Sequence, residues 1–152
     1  MKRIYFFVLL FAITQCLQAQ STDLALNVKL YNEKINELLN VKQNQGFELI
    51  REERLLCRAG FDFELNLALQ QKTLYALVMV GDPSSYKIVS SLGNAELGFV
   101  FTDRLRTLRD NEFWTEFQFP CELAGWYIFT INQKNKEILK PLAYFMLFKK
   151  VK

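Results

Sequence analysis

Any catalysis in this chain has to come from carboxylates, because none of its 152 residues is histidine. That removes the Ser-His-Asp and Cys-His arrangements, and with them the usual general bases and many metal ligands. Two close carboxylate pairs remain, Glu112 with Glu116 and Asp62 with Glu64. Residues two or four apart on a strand share a face, so either pair has the spacing for glycosidase-type acid and base work. That chemistry needs a cleft that raises one carboxyl pKa, whereas acids on a wet strand face need no catalytic explanation. No enzyme activity is expected, and a carboxylate-dependent hydrolase is the least favoured of the function classes left open. A Gly-rich phosphate loop is absent from the sequence, and no cofactor is expected.

Binding chemistry is better supplied. Trp114, Trp126 and Tyr127 are the ligand-binding candidates: an exposed indole or phenol ring can stack on a sugar or anchor a protein partner. If Phe113, Phe117 and Phe119 face a core, then Trp114 faces the other way, either into solvent or beneath a second layer such as an N-terminal helix. Trp126 and Tyr127 are adjacent on one strand, so they point to opposite faces and one of them is core. Arg104, Arg106 and Arg109 cluster in the connection from Asp103 to Asn111, but Asp103 and Asp110 flank them, and a solvated loop accounts for the run better than an anion site.

Those residues sit in a chain that reads as secreted and mainly β. Lys2 and Arg3 precede an apolar run from Ile4 to Ile13 and a small-residue end at Ala19. Residues 1–19 are therefore expected to be a signal peptide, with an uncleaved anchor, or a lipoprotein through Cys16, as alternatives. Cleavage leaves 17 Lys and Arg against 16 Asp and Glu, a net charge of +1, too little for a nucleic-acid face. No transmembrane segment is expected beyond the signal. Cys57 and Cys121 remain, and in an oxidising compartment a disulfide between them is expected, the alternative being two buried thiols. Two cysteines without histidine make no zinc site.

Residues 20–152 read as one domain, with a helix over 22–43 and a β-sandwich over 46–150. Leu24, Val28, Tyr31, Ile35, Leu38 and Leu39 recur at helical spacing behind a Ser21 or Thr22 cap. The segment 47–59 suits a helix or a bulged strand and is read as extended. From Phe61 to Gln70 apolar and polar residues alternate, as on a half-buried strand, while Leu74 to Val80 is apolar throughout, as on a strand covered on both faces. Turn signals at Gly81–Ser85 and Gly93-Asn94 separate further short strands. Phe113–Phe119 and Trp126–Ile131 are expected to pair side by side at the centre, with Gly125 letting the chain turn back. A last strand runs from Leu142 to Phe148, and Lys149, Lys150 and Lys152 are expected to guard a sheet edge. The fold class expected is an antiparallel, jelly-roll-like β-sandwich of about seven or eight strands after one amphipathic helix.

The order of these features resembles a known family. An amphipathic helix, Gly46-Phe47, a strand ending near Leu67–Gln71, Leu74-Tyr75, Gly81-Asp82, Leu92-Gly93-Asn94 with Gly98, Phe119-Pro120 and Gly125-Trp126-Tyr127 follow in turn. This is similar to small secreted bacterial proteins whose sandwich resembles the pre-peptidase C-terminal domain, its closing G-x-Y strand matched by Gly125 and Tyr127. The resemblance spans roughly residues 45–132 and implies a non-catalytic accessory or adhesion-type module. Related sandwiches often carry aspartates near the Gly81 turn that suit calcium. Here Asp82 is followed by Pro83, Ser84 and Ser85, with Lys87 where another acid would help, so no metal site is expected. The function expected is a secreted or periplasmic binding module with a protein or glycan partner in the envelope or outside the cell. A structural subunit of an envelope assembly is the alternative.

Overall fold

The strands pair as one long hairpin rolled over on itself. The computed structural model describes residues 27–96, 98–105 and 112–151. The expected signal peptide with Cys16 and Ala19, the capping residues Ser21 and Thr22, Leu24, Arg106 and Arg109 lie outside the described residues. Helix α1 occupies described residues 27–44. It is followed by β1 (Phe47–Leu56), β2 (Asp62–Leu69), β3 (Thr73–Val80), β4 (Lys87–Asn94), β5 (Gly98–Leu105), β6 (Trp114–Cys121), β7 (Gly125–Lys134) and β8 (Leu142–Lys150). β4 pairs with β5, β3 with β6, β2 with β7 and β1 with β8, all antiparallel. Rolling that ribbon brings β3 beside β8 and β4 beside β7. The result is two four-stranded sheets, β1-β8-β3-β6 and β2-β7-β4-β5, the jelly-roll arrangement that the strand pattern predicts.

The two sheets differ in what covers them. Tyr75, Leu77 and Met79 of β3, with Ala143, Phe145 and Leu147 of β8, point into the inter-sheet core. Ala76, Val78, Val80, Tyr144, Met146 and Phe148 point the other way, against Tyr31, Ile35 and Leu38 of α1. This explains the unbroken apolar runs of β3 and β8: the two central strands of the first sheet are buried on both faces. Among the described residues the second sheet has no such roof. Its strands alternate, with Leu65, Leu67, Leu69, Tyr127, Phe129 and Ile131 buried inward. Val28, expected on the buried stripe of α1, is exposed, and the stripe continues instead to Lys42, which has no exposed surface. Segment 47–56 is extended as read, with a bulge where the register shifts between Leu49 and Arg51. Among the described residues no helix is long and apolar enough to cross a membrane.

Three expectations are corrected. β6 and β7 are not neighbours: β6 is the edge of the first sheet and β7 lies inside the second. The chain arches from one layer to the other through residues 122–124, and strand alternation looks the same before an arch as before a hairpin. Gly125, at φ +152°, does mark that turn. β8 is an interior strand, so its lysines guard no edge; Lys150 donates to the Gln45 carbonyl and Lys149 lies 3.3 Å from the Gln70 side-chain oxygen. Cys57 and Cys121 are buried free thiols. Cys121 lies opposite Thr73, at the start of β3. Cys57 follows Leu56, whose partner Leu142 is two residues from Tyr144, opposite Val80 at the other end of β3. The length of that strand puts them on the order of 20 Å apart, and a disulfide needs Cα atoms within about 7 Å.

Candidate functional site

The three aromatic candidates lie in three different layers. Trp114 is half-buried on the outer face of the first sheet, beneath α1, with the Lys34 ammonium 4.0 Å from its ring centroid and Phe113 packed edge-on at 5.4 Å. It is part of the helix seat. Tyr127 is in the inter-sheet core, its hydroxyl donating to the Leu123 carbonyl at 2.9 Å. Burial, reinforced by the Cys121 thiol, pushes its pKa up to about 12. Only Trp126 faces solvent, 67% exposed on the unroofed sheet.

Trp126 stands at one end of a groove of about 460 Å³ across that sheet. Strand register gives its plan. Asn66 of β2, Ile128 of β7, Gly93 of β4 and Phe99 of β5 form one transverse row. Glu64, Thr130 and Ser91 form the next row on one side, and Ala68 with Trp126 lies on the other. Gly93 has no side chain, so the row dips between Ile128 and Phe99. These walls are apolar and open to water: Phe99 is 81% exposed and Ile128 44%. The rim is polar and contains a single charge, Glu64; no lysine or arginine is among the described lining residues. Asn94 fixes the Trp126 end, its side-chain amide donating to the Trp126 carbonyl at 3.1 Å while its oxygen accepts from Glu96 N–H at 2.8 Å.

The placement of Phe99 depends on a bulge. Leu92 faces Phe101 and Gly93 faces Phe99, leaving Val100 as an extra residue. On a regular strand Phe99 and Phe101 would share a face. Here Phe101 turns inward to stack on Phe117, with centroids 4.2 Å apart, and Phe99 stands out. Sequence reading missed Phe99, Ile128 and Gly93. A signal was present, since Trp126 and Ile128 occupy the wet positions of an alternating strand.

Glu116 pairs with the buried Lys42, whose ammonium also lies 3.0 Å from Gln45 Oε1. Glu112 is exposed. Asp62 accepts from the Asn132 amide at 2.7 Å, and Glu64 is in the groove. At the Gly81 turn, Asp82 Oδ1 accepts from Ser84 N–H and Oγ, and Oδ2 from Leu142 N–H at 3.2 Å. Gln133, with no exposed surface, accepts from Asp82 N–H at 2.8 Å and donates to the Leu142 carbonyl at 2.9 Å. These bonds give Asp82 and Gln133 a structural role.

Neither a protein-family model nor a curated protein sequence matches the chain. Among solved structures, that of "CBM4 structure and function" is 10% identical with a TM-score of 0.35, over 66% of this chain and 74% of that one. The "Glycosylation Associate Protein (Gap123) complex from Streptococcus agalactiae" is 15% identical with a TM-score of 0.34. It overlaps 70% of this chain, which spans only 40% of that one. Overlap at this level carries neither ligand nor activity to this chain. It does not bear on the likeness to the pre-peptidase C-terminal domain.

Proposed function

We propose that the chain is a non-catalytic binding module that holds a neutral glycan on the outer face of the sheet β2-β7-β4-β5. One observation carries this reading: an exposed apolar groove, floored by Gly93 and walled by Trp126, Ile128 and Phe99, is rimmed by Glu64, Asn66, Ser91 and Thr130. Clustered exposed apolar side chains with a polar border mark binding surfaces. A sugar ring offers a C–H face to an indole and hydroxyl donors to carboxylate, amide and hydroxyl acceptors. A single carboxylate and no lysine or arginine among the described lining residues disfavour anionic ligands. Residues 1–19, read as a signal peptide, would deliver such a module to where polysaccharides are met.

The test is a panel of soluble polysaccharides screened by affinity electrophoresis and calorimetry. Trp126→Ala should weaken binding roughly thirty-fold, the effect of losing about 2 kcal/mol at an aromatic anchor. Gly93→Leu should block the groove while the fold persists, since a Cβ there would meet only ordinary contacts, at 3.4 Å from the Gly98 carbonyl and 3.9 Å from the Phe99 ring. Binding that survives both substitutions would place the ligand elsewhere.

A further inference from the structure

The groove does not end at Phe99. A second cavity, of about 270 Å³, lies on the far side of that ring, lined by Phe99, Val100, Phe119, Pro120, Glu122 and Tyr127. It sits where the edge strands β5 and β6 of the two sheets face each other, just before the chain arches into β7. Phe119 and Tyr127 are buried and form its floor, while Pro120 and Glu122 are exposed at its rim. The Tyr127 hydroxyl is already committed to Leu123, and Gln71 donates to the Glu122 backbone carbonyl at 2.7 Å. The Glu122 carboxylate is therefore the charged group this cavity offers.

We infer that this cavity is a second subsite, and that the ligand is a linear neutral glycan running from the Trp126 groove over Phe99 to Glu122. The inference rests on the glycan reading of the first groove. Three observations support it. Phe99 lines both cavities, so a ligand leaving one enters the other. The two share one recipe, an apolar surface with one carboxylate and no lining lysine or arginine among the described residues, as suits a polymer of similar units. The bulge that leaves Val100 unpaired gives consecutive residues to the two sites: Phe99 stands up between them and Val100 lines the second. A protein partner fits less well. A specific interface usually buries about 800 Å² on each side, whereas the apolar surface here is a narrow track with acceptors beside it.

Oligosaccharide ladders of one to six units, from malto-, cello- and chito-series, titrated calorimetrically into the full chain provide the test, with thermal melts confirming that each variant is folded. Binding at two linked subsites makes the second contact intramolecular. Affinity should therefore rise by about tenfold or more between two and four or five units in whichever series binds. Glu122→Lys should flatten that rise and leave the shortest ligands unchanged. Phe99→Ala should weaken every length, and Trp126→Ala should weaken every length by the same factor of roughly thirty. Trp126-dependent binding that is independent of length, or a length dependence untouched by Glu122→Lys, overturns the second subsite and leaves the first standing. No binding to any ladder or polysaccharide overturns both. So does tight binding of a Lys-rich decapeptide that depends on Glu64 and Glu122, which would make the track a site for basic peptides.

Discussion

An indole beneath a lysine and an indole facing water respond differently to truncation. Trp114 fills the seat of α1, so Trp114→Ala should cost about 2 kcal/mol in a denaturant melt, below the roughly 3–5 kcal/mol of a fully buried tryptophan because this one is half-buried. Its glycan affinity should stay at the wild-type value. Trp126→Ala should do the reverse. The cysteines are similarly decided by surroundings. Both thiols are enclosed, and burial pushes the Cys57 pKa above its ordinary value, which lowers the reactive thiolate fraction. Peptide mapping after alkylation should show Cys57 and Cys121 unmodified in the native protein and both modified once it is unfolded without reductant. A cross-linked peptide pair in that digest would contradict the free thiols seen here.

The element that most needs explanation is α1, because its apolar stripe ends in a charge. Lys42 is fully enclosed and meets Glu116 on β6, so the ion pair fastens the C-terminal end of the helix to the sheet's edge strand. Removing the carboxylate strands a fully buried ammonium, whereas removing the ammonium leaves a carboxylate that is partly exposed and can be hydrated. Glu116→Gln should therefore lower the unfolding midpoint more than Lys42→Met. Its cost should fall below the roughly 3–5 kcal/mol of a fully buried pair, since the Glu116 side chain is 34% exposed. The helix and nearly every strand were legible in the sequence, because α1 repeats at the helical period, β3 is apolar throughout and β2 alternates. Partnership was not legible. The residues flanking Pro120 to Gly125 look the same whether β6 and β7 pair or part into separate layers, and that ambiguity underlies the misplaced neighbours; the expected disulfide came from the compartment alone, which says nothing of the distance between Cys57 and Cys121. The groove was half legible: Trp126 was among the candidates, but Phe99 became visible only through a bulge in pairing with β4, a relation between two strands that neither states alone.

At the scale of the molecule, burial makes the fold sensitive to alkali. Tyr127 and Tyr144 are each held from an ordinary 10.0 up to about 12, chiefly by burial, with the Cys121 thiol and the Glu52 carboxylate respectively adding to it. The folded state keeps these protons more tightly than the unfolded chain does. Their contribution is complete below about pH 10 and is lost as pH rises from there toward 12. The denaturant midpoint should fall over that window, and near-ultraviolet titration should show three phenols ionising above the ordinary range, those of Tyr127, Tyr144 and Tyr31, the last also raised chiefly by burial. The rolled ribbon has a consequence of another kind, in the order of folding. Among the described residues the β4–β5 hairpin is the one strand pairing between close neighbours in sequence, with Asn94 opposite Gly98, while Phe47 and Lys150 join the two ends of the sandwich. Closing the outermost pair directly from an open chain means ordering a long loop. Closing outward from the hairpin leaves only a short loop at each step, because the limbs already paired hold the next ones close. Refolding should therefore begin at residues 94–98. Gly98→Ala, which strains a backbone held at φ +70°, should slow the refolding arm of the chevron and leave the unfolding arm nearly unmoved.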